Sequence, residues 1–506
     1  MTSPAYGVWV EVPVAECWEV TGKAPIGTRW IDINKGDELH PSYRSRLVVQ
    51  EVRHSSIEAI FAATPPLESV RMLLSLQRTG KAVDSRGRRR KVMFIDVRRA
   101  HWTAKIFRAV YVSLPEEAGL PEGSCGRLER AMYGCRDAAA CWELEITDFF
   151  TCNGFTPGLG SPVLFVNQTR DLKVSIHGDD ITVLGFEDDL LWLRDQLETR
   201  YELKFGGLLG PDATDVQDVA LLNRLIHFGE RATTIEADPR HVEIVLNELN
   251  LKGAKPVGTP GVSVKDSDET PLSGDDCKRY RSLTMRCNYL ALDRPDINYA
   301  AKELARRMQS PTRSSWNGLK RMCRYLAGKP RLTWIYEDQE EQTHLRIHSD
   351  SDDAGCQESR KSTSCGALYH GQHLLKFYSS TQHVISLSSG ESEFYAGIKA
   401  GSTLLGGLAT MMDLGCSLEG ALVFDATAAK AMMNRRGHGR AKHIARCYLW
   451  LQQKVHDQEI SLEKVGTKIN TADLGTKHLE AGRIEELVSL MGLAFPDGKH
   501  RLALSV

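Results

Sequence analysis

The stretches KVMFIDV (91–97) and DLKVSIHGDDITVLGF (171–186) decide the fold of the first half of this chain. The first has a strand-like alternation and brings its acid, Asp96, to the strand end; the second is two apolar runs flanking a tight Gly178-Asp179-Asp180 turn, the pattern of a β-hairpin. Both therefore set acids at strand ends. Two adjacent aspartates at a hairpin tip repel one another, so a positive group belongs beside them, most simply a divalent cation. A pair of Mg2+ ions held by carboxylates is the standard device for in-line attack on a phosphate. Taken alone, an Asp-Asp turn more often reads as a solvated loop.

Around these stretches the composition is that of ordinary globular domains. The chain has 506 residues, enough for two to four domains, with 42% hydrophobic and 25% charged residues. Lys+Arg 64 against Asp+Glu 65 gives 64 − 65 = −1, so any nucleic-acid surface must come from local clustering of basic residues. No apolar run approaches the ~18 residues of a membrane span, and the N-terminus carries no secretion pattern. The twelve cysteines, from Cys17 to Cys447, contain no C-x-x-C pair and read as free thiols in a reducing compartment.

Residues 254–278, AKPVGTPGVSVKDSDETPLSGDDCK, have the Pro, Gly, Ser and Asp content of a linker, and the main boundary is placed there. Next come two amphipathic helices. Ile297, Ala301, Leu304 and Met308 form a stripe between Pro295 and Pro311; Trp316, Leu319, Cys323 and Leu326 form another that stops at Gly328 and Pro330. From about Thr343 the pattern returns to strands and helices, a second α/β domain. The expected division is 1–253, a linker at 254–278, a helical connector at 279–342, the α/β domain at 343–480 and a tail at 481–506.

Read in order, YRSRLVVQE (43–51), FAATPPLESVRMLLSL (61–76), FIDVRRAHW (94–102), VYVSLPEE (110–117), LERAMYGCRDAAACWE (128–143), HGDDITVLG (177–185) and HVEIVLNELNLKGAKPVGTPG (241–261) resemble the reverse transcriptase of copia-type LTR retrotransposons. The resemblance implies an α+β right-hand polymerase, with fingers near the N-terminus, a palm carrying Asp96, Asp179 and Asp180, and a thumb beyond residue 190. It implies that Asp96 and Asp179 ligate two Mg2+ or Mn2+ ions, with Asp180 in support. Arg46 matches a fingers arginine expected to meet the incoming triphosphate, and Tyr133 and Gly134 match a Tyr-Gly near the nascent base pair. Two positions depart from the family. His101 replaces the usual aromatic residue five positions after the first Asp, which bears on discrimination against ribonucleotides; His177-Gly178 replaces the first residues of the usual Tyr-x-Asp-Asp.

A second set of acids obeys the same logic. Asp350 ends LRIHSD, Glu393 lies in the first turns of a helix opened by the capping-box pattern Ser388-Ser-Gly-Glu391, Asp425 ends ALVFD, and Asp473 sits in NTADLGTKHL. Four acids at strand ends and helix starts suit a second two-metal site. HSDSDDAGCQESRKSTS (348–364), VISLSSGESEFYAGIKA (384–400), VFDATAAKAMM (423–433), GRAKHIARCYLWLQQKV (439–455) and INTADLGTKHLE (469–480) resemble the ribonuclease H domain that comes after the polymerase in the same elements. The resemblance implies an α/β ribonuclease H-like domain with metal ligands Asp350, Glu393, Asp425 and Asp473, again around two ions. His443 matches the family's Lys-His-Ile, where it would orient a phosphate or assist product release. Ala426 and Thr427 stand where Asn or Ser commonly succeeds the third acid.

Basic residues supply the remaining expectations. The run RGRRRK at 86–91 would meet backbone phosphates, and Lys302, Arg306, Arg307, Lys320, Arg321 and Arg324 would track a duplex between the two sites; solvated charge is the plainer reading of both. The expected partners are an RNA template, a DNA primer, their hybrid and dNTPs, with no membrane and with other retrotransposon polyprotein products as associates. Cytoplasmic particles, with product bound for the nucleus, are the expected location. The expected function is RNA-directed DNA synthesis with cleavage of the hybrid's RNA. The rival expectation is a decayed copy that only binds nucleic acid.

Overall fold

Lys91–Val97 becomes an inner strand of a six-stranded sheet ordered Leu203–Leu209, Lys91–Val97, Asp180–Gly185, Leu172–His177, Leu164–Asn167 and Thr156–Pro157. The structure is a computed structural model and describes residues 7–34, 41–52, 62–80, 87–263, 268–356, 358–439, 441–498 and 500–503. The hairpin read from the sequence is present, with Ile181 opposite Ile176 and Val183 opposite Val174. Alternation sends Met93, Ile95, Val97, Val174, Ile176, Ile181 and Val183 to one face. Helix Ala138–Cys152 covers that face with Cys141, Trp142, Ile146, Phe149 and Phe150, and helix Glu187–Glu198 with Leu190, Leu193 and Leu197. Each such buried side chain stabilises the unit by about 1.5–3 kcal/mol relative to exposure. A five-stranded sheet, ordered Trp9–Pro13, Ser124–Leu128, Tyr111–Ser113, Ile26–Asn34 and Tyr43–Val49, completes this unit.

The chain divides into two compact units: Met1–Leu73 with Arg90–Leu208 and Asp413–Gly415, and Leu74–Arg89 with Leu209–Met412 and Cys416–Val506. The division thus falls at 208/209 and not in the expected 254–278 linker. The reason is strand pairing: Ala232–Ala237 runs antiparallel to Thr333–Glu337, which ties residues 209–253 to the second unit. Part of the expected linker is also helical, since Gly274–Leu290 opens there. Residues 481–506 are not a tail either. Helix Ala481–Leu490 buries Ile484, Leu487 and Val488, and Leu493–Ala494 pairs with Thr333–Trp334.

The two amphipathic stripes form helices Pro295–Arg306 and Arg313–Gly328. Pro295 starts the first, where a missing N–H costs nothing; Thr312 caps the second through Ser315 in a reciprocal capping box. Their buried faces, with Gly274–Leu290 and Arg240–Glu248, make one core.

The α/β domain has strand order His373–Thr381, Thr363–His370, His344–Ser351, Glu419–Phe424, Ser461–Lys464. In chain order this is 3-2-1-4-5, with the first three antiparallel and the last two joined in parallel. It is the α/β fold expected after the polymerase. The long helix Ser389–Asp413 comes after the third strand. No helix among the described residues is long and apolar enough to cross a membrane. The cysteines are free, most of them buried.

Candidate active sites

In the first unit the antiparallel pairing of Lys91–Val97 with Asp180–Gly185, the second strand of the hairpin, sets Asp180 directly opposite Asp96. Directly opposed residues share a face of an antiparallel pair, and this face is the one the two helices leave uncovered. Asp179 lies in the turn, where its backbone carbonyl accepts the Val97 N–H at 2.9 Å. Gly178 has φ +65°, so a glycine meets the turn without strain. The carboxylates of Asp96 and Asp179 have no ion-pair or hydrogen-bond partner among the described residues. Among the described residues, Asp96, Asp179 and Asp180 do not bring three ligand atoms within 4.8 Å of one another.

Arg46, His101 and Tyr133 come together beside these acids. The Arg46 guanidinium lies 5.2 Å from the centre of the Tyr133 ring, and the His101 and Tyr133 rings meet edge to face at 4.7 Å. Burial pushes the Tyr133 hydroxyl upward, with Asp179 and Asp96 adding and Arg46 and Arg44 opposing. Burial lowers His101, against the pull of Asp179. Arg46 Nε and His101 Nδ1 are both buried without a hydrogen-bond partner among the described residues. Gly134 has φ +91°, and a Cβ there would overlap the Val49 carbonyl oxygen, so this glycine is demanded by close approach of the backbone. Trp142, to which sequence reasoning assigned no role, donates its indole N–H to the Gly178 carbonyl at 2.7 Å.

In the second unit Asp350, Glu393 and Asp425 form a cluster in which one carboxylate oxygen of each lies within 4.8 Å of those of the other two. Asp350 comes from the central strand, Asp425 from just past the neighbouring parallel strand, and Glu393 from the first turns of Ser389–Asp413. Burial pushes Asp350 up to about 7, with Asp473 and Asp425 adding while the Thr476 hydroxyl, donating to Asp350 Oδ2 at 2.9 Å, opposes. Burial, Asp350 and Asp425 push Glu393 up to about 8. Glu393 Oε1 accepts the Ser351 N–H at 3.3 Å, and its Oε2 is buried without a partner. Three convergent carboxylates and an orphaned buried oxygen fit a hard divalent cation.

Asp473 departs from the expected quartet. It feels Asp350 electrostatically, but its carboxylate is held by Lys477 at 2.6 Å, with Arg483 at 3.5 Å. His443 departs too: its Nε2 lies 2.9 Å from Glu391, which is buried. Glu391 makes only half of the expected capping box, its N–H reaching Ser388 Oγ while its carboxylate accepts from Leu387 N–H.

The basic segments are largely engaged within their own units. Arg86 lies outside the described residues; Arg89 pairs with Asp338, Arg90 with Asp171 and Lys91 with Glu187. Lys302 and Arg306 share Glu303, Arg307 holds Glu358, Arg321 bonds Thr259 and Arg324 the Lys255 carbonyl. Local compensation, which the sequence pattern did not reveal, replaces the expected free stripe.

Residues 16–212 match the family described as reverse transcriptase (RNA-dependent DNA polymerase). The chain is 28% identical to the retrovirus-related Pol polyprotein from transposon RE2 of Arabidopsis thaliana over 91% of its own length, and 28% identical to that from transposon RE1 over 94%. It is 24% identical over 93% of its length to the Pol polyprotein from transposon TNT 1-94 of Nicotiana tabacum. The chain spans about a third of the length of these curated relatives. A foamy viral protease-reverse transcriptase in complex with double-stranded DNA superposes with a TM-score of 0.49 at 12% identity, covering 92% of this chain and 68% of that one. Residues 16–212 thus match the reverse transcriptase family, in a chain similar over most of its length to the Pol polyproteins of copia-type retrotransposons.

Proposed function

We propose that the chain is an RNA-directed DNA polymerase joined to a ribonuclease H acting on RNA–DNA hybrid. The observation that carries the two-activity reading is the pair of separate acidic centres, Asp96 with Asp179 and Asp180 on one sheet and Asp350, Glu393 and Asp425 on another. Divalent metal, Mg2+ or Mn2+ with two ions at each site, would supply charge neutralisation and Lewis acidity at phosphate oxygens. Asp96 and Asp179 would be its ligands in the first site, with Asp180 in support. Asp350, Glu393 and Asp425 would be its ligands in the second, with Asp473 joining once released from Lys477.

In the first site a primer 3′-hydroxyl would attack the α-phosphate of a dNTP, releasing pyrophosphate. Arg46 suits the triphosphate, its guanidinium held over Tyr133 with Nε still unpartnered. Tyr133 and His101 would form the wall beside the reacting nucleotide. In the second site water would attack a phosphodiester of the RNA strand. Within that site, Thr476 and Ser351 hold the carboxylates in place. His443, fixed by Glu391, belongs to the loop that would meet the leaving strand. The template, primer and particle-associated cytoplasmic location belong to the same proposal and rest on the resemblance to retrotransposon Pol polyproteins.

The test is separability. Asp179→Ala should end dNTP incorporation on a primed RNA template and spare cleavage of RNA in a hybrid, and Asp425→Ala should do the reverse. A folded wild-type chain that binds hybrid but performs neither reaction would be the decayed copy.

A further inference from the structure

We propose that Trp142 is a positioning residue for the Gly178-Asp179-Asp180 turn, fixing Asp179 through a hydrogen bond to the backbone and not through the carboxylate. This rests on the reading of Asp179 as a polymerase ligand.

The two peptide groups that flank the Asp179 Cα are each held from outside the turn. The carbonyl of the 178–179 peptide accepts the Trp142 indole N–H at 2.7 Å, and the carbonyl of the 179–180 peptide accepts the Val97 N–H at 2.9 Å. With both planes fixed, the backbone dihedrals of Asp179 are fixed, and so is the direction in which its Cα–Cβ bond leaves the chain. The second bond belongs to the strand that carries Asp96, the residue just before Val97, so it ties Asp179 to Asp96. The first has a different origin, since Trp142 stands on helix Ala138–Cys152.

A Cβ on Gly178 would meet no heavy atom within 4 Å, so packing around that residue does not hold the turn in place. Trp142 itself is 3% exposed and packs edge to face on Tyr201 at 5.5 Å, which leaves the indole no freedom to track a moving turn. A buried indole N–H seeks a partner, and the partner here is one of the two carbonyls whose orientation sets Asp179. Phenylalanine would fill most of the same volume and lack the donor. The expected defect is therefore geometric.

The experiment compares wild type with Trp142→Phe, and with 3-benzothienylalanine at 142, which keeps the bicyclic shape and replaces N–H by sulfur. Primer extension is measured per active site, after titrating the active fraction by single-turnover burst. The account expects kcat per active site to fall about tenfold or more, a misplacement effect, with dNTP KM changed less than about twofold and half-saturating Mg2+ raised. RNA cleavage should be unaffected. A loss of active fraction at unchanged kcat would show a role in folding only and overturn the proposal. Wild-type kcat and Mg2+ dependence in the benzothienyl protein would overturn it as well. Should the wild type extend no primer, the polymerase reading falls, and the positioning claim is judged by Mn2+ binding to the Asp425→Asn protein with and without Trp142→Phe: equal affinity contradicts it.

Discussion

The Lys477 ammonium lies 2.6 Å from the Asp473 carboxylate, four residues earlier, and neutralises the one acid of the expected quartet that stands apart from Asp350, Glu393 and Asp425. A cation entering the cluster must compete with that lysine for Asp473. Lys477→Gln should therefore lower the Mg2+ concentration that half-saturates hybrid cleavage by severalfold, without changing primer extension. An unchanged or raised Mg2+ requirement would show that Asp473 takes no part in the site.

Metal-free stability should fall as pH rises from about 6.5 to about 8.5. Asp350 at about 7 and Glu393 at about 8 lie far above their ordinary 3.8 and 4.5. The folded state therefore binds more protons than the unfolded chain across that interval, and the stability linked to them disappears as pH climbs through the folded values. Melting in EDTA at pH 6.5 and 8.5 should show the drop. Glu393→Gln should flatten it, and Mg2+ should stabilise more at pH 8.5 than at pH 6.5. A melting temperature that rises with pH in EDTA would be inconsistent with this charge cluster.

Acid should act on a different group. Burial lowers His348, His370 and His373 to about 4, so each is neutral in the fold at pH 5 while the unfolded chain takes up a proton. Their contribution is complete above pH 6.5 and is lost as pH falls through 4. Ser75 joins two of them: its Oγ lies 2.8 Å from Nδ1 of both His370 and His373. His373 donates Nε2–H to the Glu337 carbonyl, so Ser75 donates to His373 and accepts from His370. Ser75→Ala removes the partner of His370 Nδ1, while His373 Nδ1 keeps Gln339 Nε2 at 3.1 Å, and should cost about 1–3 kcal/mol, read as a shift in the urea midpoint. An unshifted midpoint would mean that water replaces the hydroxyl.

Gly134→Ala should damage the first unit alone. Its φ of +91° and the overlap with the Val49 carbonyl both oppose a side chain, and Tyr133, whose carbonyl accepts the Val49 N–H at 2.7 Å, would move with it. The expected result is a cost of about 1–3 kcal/mol and a raised KM for dNTP, with hybrid cleavage retained. A protein with wild-type nucleotide affinity would show that the Tyr133 turn does not line the nucleotide site.

Much of this was legible in the chain because it is local. Alternation in KVMFIDV and the Gly-Asp-Asp turn marked one strand and one hairpin, while the pairing of that strand with the hairpin, which sets Asp180 opposite Asp96, is long-range. The 3.6-residue stripes from Ile297 and from Trp316 gave two helices, the second ending at Gly328 as read and the first at Arg306, short of Pro311. Strand-end acids at 350 and 425 and a helix-start acid at 393 did converge. The features that escaped depend on partners far apart in sequence or on which of several neighbours captures a charge. Ala232 pairs with Glu337 across a linker-like composition, which moved the boundary to 208/209. Trp142 stood within a quoted motif, yet its bond to Gly178 spans 36 residues and has no periodic signature. Asp473 looked like its three companions in sequence, and only Lys477, one turn on, sets it apart.

The central claim is that one chain carries two independent phosphoryl-transfer centres. The most direct measurement places a 5′-labelled DNA primer on an RNA template and monitors primer extension and RNA cleavage in the same reaction with Mg2+, for wild type, Asp179→Asn and Asp425→Asn. The account predicts both products from wild type, cleavage without extension from Asp179→Asn, and extension without cleavage from Asp425→Asn. Loss of both products in either folded variant would contradict it.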